Sequence, residues 1–460
     1  MRLIENMLLI NVDDKEQHGL LIHTLNGNIS VLSKQEKEYI QSWKGKLNIE
    51  PTDESERGVY RELMENGYLS EDEEAEARIV DCILSKCRNK HEDMKRHNTD
   101  AAFVLTYKCN YACPYCYEHA LDYVNNKILT NQMVDKIFSI YNEHLENILL
   151  YGGEPFLPET KRIVEYITLK APDAIYSVIT NGYYLPDFVG ILTKLKVKYI
   201  MVTLDGPKEL HDKTRILKDG GGTYERVMKG IESCLGQSIP IKIRMNISHN
   251  NVEQCIQLRE SLISIFREQY EAGILMFELQ PIFQLSSKVK SNINEIIFFD
   301  DSLLTPISNN YNRMSLSLSP VLKMFANNAK IPFHPRYCNC DAEGGQMFYD
   351  AEGNIYSCTL SLRNETASIG KYYPDYYLKE NSIFTRNIES VEQCKNCKLK
   401  FLCGGGCANA VIDTDGNVMK PNCSAIQKEV YYELPRLFKK YMENKRNTGQ
   451  ALLRADSFNG

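Results

Sequence analysis

Residues 102–116 read AFVLTYKCNYACPYC. An apolar run with strand character, 102–107, leads directly into a loop carrying Cys109, Cys113 and Cys116 at CxxxCxxC spacing. Five runs of the same kind follow: NILLY (147–151), IYSVIT (175–180), KYIMVTL (198–204), IKIRMNI (241–247) and ILMFELQ (274–280). Helical patterns such as NQMVDKIFSIYNEHL and TYERVMKGIESCL fill the gaps. Six β/α units over residues 96–282 predict an α/β fold with a parallel sheet. A closed eight-unit barrel takes about 250 residues, more than this span offers. The expectation is therefore a partial, open (β/α)6 barrel, with a doubly wound sheet as the alternative.

Residues 1–95 read as a separate unit. GLLIHTLNGNISVL places two short apolar runs around Asn26-Gly27-Asn28, a hairpin signal. Ser33 and Glu36 form a capping-box signature for a helix to about Trp43, and ESERGVYRELMEN predicts a second helix ended by Gly67. Hairpin plus helices is a winged-helix-like pattern. The acidic run 71–77 reads as a solvated linker or helix face. Residues 283–336 form a bridging region, 337–430 a segment rich in Cys and Gly, and 431–460 a closing helix and tail, with Pro435 as a kink or start point.

The 460 residues allow about two to four domains. A net charge of −6 argues against non-specific nucleic-acid binding. No apolar run approaches the ~18 residues of a membrane helix, and Asp13 and Asp14 interrupt any signal-peptide core. The expectation is a cytoplasmic protein acting on neither nucleic acid nor membrane. Of 15 cysteines, three lie at 109–116 and eight at 338–423. Clustering of this kind points to metal or iron–sulfur ligands rather than a disulfide scaffold. The other four have plain readings: Cys234 and Cys255 as small buried hydrophobes, Cys82 and Cys87 on a linker helix.

Three thiolates on one short loop can hold three irons of a cubane and leave the fourth open to a ligand. A structural zinc would want a fourth protein ligand. The loop also leaves the C-terminal end of a strand, where β/α barrels carry their active sites. CxxxCxxC with Tyr115 before the last cysteine resembles the signature of the radical S-adenosylmethionine (SAM) superfamily. The resemblance implies a SAM-binding 4Fe–4S cluster that cleaves SAM to a 5′-deoxyadenosyl radical. Gly152-Gly153-Glu154 resembles the family motif that binds the SAM amino group. Asn181 and Thr203 end the third and fourth strands. TLDGPKELHDKTR resembles a segment of the SPASM-type radical enzymes, including anaerobic sulfatase maturases. Arg215 is either a partner of the SAM carboxylate or a structural ion pair, and Asn246 contacts the ribose or caps a turn. His211 reads as a structural hydrogen-bonder.

The C-terminal cysteines resemble the seven-cysteine SPASM pattern: Cys340-x12-Gly353-x4-Cys358, then Cys394-x2-Cys397-x5-Cys403-x3-Cys407-x15-Cys423. The resemblance implies two auxiliary 4Fe–4S clusters. The inner one takes Cys340, Cys358 and Cys407; the outer one takes Cys394, Cys397, Cys403 and Cys423. Cys338 is a fourth ligand of the inner cluster or a spare thiol. Gly404-Gly405-Gly406 suits backbone wrapping around a cluster. Zinc bound by Cys394, Cys397, Cys403 and Cys407 is the rival reading.

Residues 1–95 resemble the leader-recognition domain fused to radical SAM peptide maturases. The combined resemblance implies maturation of a ribosomally made precursor peptide with an N-terminal leader, by Cys thioether (sulfur-to-carbon) cross-links. The alternatives are sulfatase-maturase-like oxidation of Cys or Ser to formylglycine, a carbon–carbon cross-link, or epimerisation. The implied electron donor is external, of flavodoxin or ferredoxin type. None of the 28 tyrosines is singled out as a hydrogen-atom donor.

Overall fold

The computed structural model describes residues 1–12, 18–116, 127–247, 251–281, 333–343, 345–436 and 438–439. The bridging region up to residue 332 and the tail beyond 439 lie outside the described residues.

The N-terminal unit begins with β1 (Arg2–Leu3), β2 (Met7–Asn11), β3 (His18–His23) and β4 (Ile29–Ser33). The last three form an antiparallel sheet in the order β2-β3-β4. The turn between β3 and β4 follows the sequence: Gly27 adopts φ +79°, and the Asn28 N–H donates to Asn26 Oδ1 at 2.9 Å. Helix α1 (Lys34–Trp43) starts with the Ser33/Glu36 capping box, and α2 (Glu54–Glu65) starts on an Asp53 cap. Strand β5 (Leu69–Ser70) pairs with β1, and α3 (Glu73–Arg96) leads into the centre.

The acidic run at the start of α3 is only partly a solvated face. Glu73 and Glu74 are exposed, but Glu76 is buried. It accepts the Glu5 and Asn6 backbone N–H groups at 2.8 and 2.9 Å and pairs with Arg2 at 3.2 Å. A buried carboxylate persists where donors surround it, and here it ties α3 to the loop after β1.

Six parallel strands follow, alternating with helices: β6 (Asp100–Val104), α4 (Asn131–Ile140), β7 (Asn147–Tyr151), α5 (Lys161–Lys170), β8 (Ile175–Thr180), α6 (Leu185–Leu192), β9 (Lys196–Thr203), α7 (Lys208–Thr214), α8 (Tyr224–Leu235), β10 (Ile241–Ile247), α9 (Val252–Ile265), α10 (Arg267–Glu271) and β11 (Leu275–Pro281). They lie side by side in chain order. Residues of one strand parity, such as Phe103, Leu150, Val178, Val202 and Ile243, share a single core with Val134, Ile163, Phe188, Ile231 and Cys255 of the helices. The opposite face carries Ala102, Val104, Leu149 and Tyr151, packed on Phe348 and Tyr356. Helices on one face and unbroken strand order exclude the doubly wound alternative, which needs both faces covered and a reversal of order.

The sheet does not end at β6. Strand β12 (Met347–Asp350) pairs with it in parallel, and β13 (Asn354–Tyr356), β14 (Gly370–Lys371) and β15 (Tyr377–Leu378) extend it antiparallel to ten strands. The cysteine-rich segment thus shares hydrogen bonds with the first β/α strand. In the closing helix, the described turns run from Ser424 through a π turn at Glu429–Glu433 to residue 436. Pro435 sits inside it rather than starting it. The wider turn lies where the proline ring would meet the Tyr431 carbonyl.

The N-terminal sheet packs on this C-terminal region: Ile10, Leu20 and Ile22 share a core with Leu399, Leu402, Ile426 and Val430. Among the described residues, no helix is long and apolar enough to cross a membrane.

Candidate functional site at the C-terminal edge of the sheet

The cysteine loop after β6 is held on three sides. Ala112 N–H donates to the Ile216 carbonyl at 2.9 Å and Lys218 N–H to the Asn110 carbonyl at 3.0 Å. Tyr111 N–H points at the Cys109 sulfur at 3.4 Å, and Asn181 Nδ2 reaches the same sulfur at 3.7 Å and Asn110 Oδ1 at 2.8 Å. Donors aimed at a sulfur stabilise it as a thiolate and tune a cluster it binds. Burial raises the Cys113 thiol, and the Arg215 guanidinium pulls it back down.

Gly152 and Gly153 press against this loop. A Cβ on Gly152 would stand 2.4 Å from the Thr106 carbonyl oxygen, and one on Gly153 would stand 2.6 Å from those of both Tyr107 and Lys108. The glycines are therefore demanded by backbone packing against the cysteine loop. Glu154 is fully buried. Its carboxylate accepts from Thr180 Oγ1 at 2.6 Å, the Asn181 N–H at 2.7 Å and the Phe156 N–H at 2.8 Å. Burial pushes its carboxyl up to about 7 against the pull of those donors. It clamps the ends of β7 and β8 together, a positioning task that motif spacing did not reveal.

A second network spans the site. Arg215 Nη1 donates to the Tyr115 hydroxyl at 2.8 Å, and that hydroxyl donates in turn to Asp205 Oδ2. Asp205 Oδ1 accepts the Asn246 N–H at 3.2 Å and Asn246 Nδ2 at 3.1 Å. Arg215 lies 3.8 Å from Asp205 and over the Tyr111 ring. Burial opposes the guanidinium charge, and Tyr115, Asp205, Cys113 and Tyr111 together outweigh it. Thr203, half-buried, ends β9 two residues before Asp205. Asp205 was given no role from the sequence, yet it joins Tyr115, Arg215 and Asn246.

His211 is buried and bonded to Thr223 Oγ1 at 3.1 Å, while Thr223 donates to the Arg215 carbonyl at 2.6 Å. Burial, then Arg215, lowers the imidazole to about 3. A neutral Nε2–H donor to Thr223 follows, in keeping with a structural hydrogen-bonder. Tyr107, two residues before Cys109, donates to the buried carboxylate of Asp350 on β12 at 3.0 Å. Burial raises Asp350 to about 6. No local pattern marked this residue.

The C-terminal thiols fall into two neighbourhoods. Burial raises Cys340 to about 12, and Glu343 and the thiols of Cys358 and Cys407 push the same way. Burial likewise raises Cys403 to about 12, with Cys394, Cys423 and Cys397 as its sulfur neighbours. The Cys338 sulfur lies 3.8 Å from His91 Nδ1. Gly404, Gly405 and Gly406 adopt φ +66°, +90° and +74° in succession, a backbone only glycine adopts at low cost. Behind them lies Arg386, fully buried, paired with Glu343 at 2.6 Å and donating to the carbonyls of Gly405 and Gly406 at 2.6 and 2.9 Å. Glu343 accepts the N–H groups of Asn339 and Cys340. The Arg386–Glu343 pair joins the loops of both thiol groups and was invisible to motif reading. Among the described residues, no three Cys, His, Asp or Glu side chains converge on one metal ion; a cubane binds its thiolates at separate corners.

Residues 103–262 match the radical SAM superfamily, and the chain carries a radical SAM domain over that span. The chain is 24% identical over 351 residues, 69% of each protein, to the radical SAM cyclopropyl synthase TigE of Paramaledivibacter caminithermalis. It is 24% identical over 335 residues, 65% of this chain and 84% of the relative, to a cysteine-type anaerobic sulfatase-maturating enzyme of Clostridium novyi. Its fold is similar to that of Streptococcus suis SuiB bound to the precursor peptide SuiA, with a TM-score of 0.52 and 14% identity over 93% of this chain and 99% of that one. The superfamily uses SAM and a 4Fe–4S cluster. The thiols of Cys109, Cys113 and Cys116, with N–H donors already aimed at Cys109, fit such a cluster.

Proposed function

We propose that the chain is a radical SAM peptide maturase that forms Cys thioether cross-links in a ribosomally made precursor with an N-terminal leader. Cys109, Cys113 and Cys116 hold the SAM-binding cluster. Bound there, it supplies the electron that cleaves SAM to a 5′-deoxyadenosyl radical. The chain's own residues do the rest of the positioning. Asn181 and the Tyr111 N–H support the Cys109 thiolate. Glu154 fixes the strand ends beneath the ligand, and Arg215, held by Tyr115 and Asp205, faces the SAM carboxylate with a planar donor set suited to it. Asn246 and Thr203 serve the nucleoside. The two C-terminal thiol groups hold the auxiliary clusters. In the net reaction a substrate C–H and an S–H are lost and a C–S bond forms. One hydrogen leaves on the deoxyadenosyl carbon and one as a proton to solvent; the remaining electron needs an acceptor, a role that auxiliary clusters held by the C-terminal thiols would supply. A flavodoxin- or ferredoxin-type protein supplies the initiating electron.

The observation that carries this reading is the presence, in one chain, of the cysteine loop and an N-terminal antiparallel sheet in the order β2-β3-β4, whose outer strands pair on one side within that sheet. An outer strand can take an extended peptide by strand addition. The similarity of fold to SuiB over 93% of the chain supports it. The test incubates the reconstituted full chain with SAM, a reductant and a leader-bearing Cys peptide. Loss of two hydrogens, with the cysteine no longer alkylated by iodoacetamide, is the expected result. A product whose cysteine still alkylates overturns the thioether.

The match to the sulfatase-maturating enzyme favours a second reading, oxidation of Cys or Ser to formylglycine. It predicts an aldehyde that hydrazides trap, from a peptide without any leader.

A further inference from the structure

Helix α3 belongs to the N-terminal unit, yet one of its faces lies on the cysteine-rich region. Ile83, Leu84 and Cys87 pack beside Val391, Cys394 and Phe401. One turn beyond Cys87 stands His91, 4% exposed. Its ring lies 5.2 Å from that of Tyr337, and its Nδ1 lies 3.8 Å from the Cys338 sulfur. Its Nε2 is buried without a partner. A buried orphaned acceptor is tolerated better than a buried orphaned N–H, so the proton belongs on Nδ1, aimed at sulfur. Lys95, the next turn of the same face, donates to the Phe384 carbonyl at 2.8 Å and anchors the helix. On its other side, Cys338 is fixed by close backbone packing. A Cβ on Gly404 would meet the Cys338 carbonyl oxygen at 2.3 Å.

We propose that His91 is a positioning residue that donates a hydrogen bond from Nδ1 to the sulfur of Cys338 as Cys338 ligates the inner auxiliary cluster. Through it the N-terminal unit sets the electronic character of that cluster. The inference rests on the auxiliary-cluster reading above. A hydrogen bond to a ligating thiolate draws charge off the cluster and raises its reduction potential, and outer partners of this kind tune metal centres without touching the metal.

The test uses the full chain, reconstituted anaerobically, as wild type, His91→Leu, His91→Gln and His91→Asn. Asparagine keeps a donor near the Nδ1 position, whereas glutamine keeps bulk and polarity but moves the donor away. Iron and sulfide are assayed, and cluster potentials are read by redox titration with electron paramagnetic resonance. The expected result is wild-type iron in all four proteins, with one midpoint potential lowered in the Leu and Gln variants, restored in Asn, and the others unmoved. Should the Leu variant lose iron, the Gln variant decides. Three full clusters with unmoved potentials in His91→Gln overturn the role of His91 and leave the auxiliary clusters standing. Wild-type protein that takes up the iron of a single cluster overturns the reading beneath it and the inference together.

Discussion

The carboxylate of Glu154 accepts the backbone N–H of Asn181 at 2.7 Å, and Asn181 in turn reaches the sulfur of Cys109. One buried acid thus orders the strand end that supports the cysteine loop. Burial raises that acid to about 7 from an ordinary 4.5. A raised carboxyl contributes stability that is present below its unfolded value and lost as pH climbs through its folded value. The span corresponds to about 3 kcal/mol at most. In metal-free protein, Glu154→Gln is therefore expected to be destabilising near pH 5 and to converge on wild type by pH 8. Thermal unfolding midpoints of the two proteins across that range provide the check. A gap that widens with pH would contradict the assignment.

Removing the buried guanidinium of Arg386 leaves Glu343 without its ion-pair partner. Breaking a buried pair from one side costs about 3–5 kcal/mol. Arg386→Met is expected to destabilise by that order, and adding Glu343→Gln to recover part of it. Urea unfolding of the single and double variants reads both numbers.

Gly406 tolerates no side chain. A Cβ there would lie 2.0 Å from the Asn422 carbonyl oxygen, on a backbone with φ +74°. The left-handed conformation alone costs a non-glycine residue about 1–2 kcal/mol. On the proposal that the C-terminal thiols hold clusters, Gly406→Ala is expected to lose their iron while the Cys109 loop keeps its own, as an iron assay with spectroscopy would show.

Asp205 holds Arg215 through Tyr115 and holds Asn246 directly. Hydrogen bonds to charged groups contribute about 1.5–3 kcal/mol. Asp205→Ala and Tyr115→Phe are expected to weaken SAM binding at least about tenfold, the first more than the second. Anaerobic calorimetry on reconstituted protein measures it, and unchanged affinity in both would remove this network from the SAM site.

Deleting residues 1–95 is a poor test of peptide capture. It strips Ile10, Leu20 and Ile22 from the core they share with Leu399 and Val430. The truncated chain is expected to aggregate through that uncovered apolar face, as light scattering would report, whatever the role of the unit.

The sequence by itself determined what is local. Strand and helix periodicity placed all six parallel strands and the helices between them, the Asn26–Asn28 turn and the Ser33 cap, because each depends on neighbours a few residues away. Cysteine spacing marked the loop at 109–116 for the same reason, since its three thiols leave one strand end together. Tertiary structure alone decided what depends on partners far apart in the chain. Asp350 meets Tyr107, Arg386 meets Glu343 and His91 meets Cys338 across more than forty residues, up to nearly 250. No periodicity encodes such pairs. The expectation of an open sheet rests on length; the structure adds that β12 occupies the edge of β6, a pairing of backbones 246 residues apart. Glu154 shows the division most plainly. Its place in the chain marked it as important, but only burial among three donors showed that it supports the site from beneath.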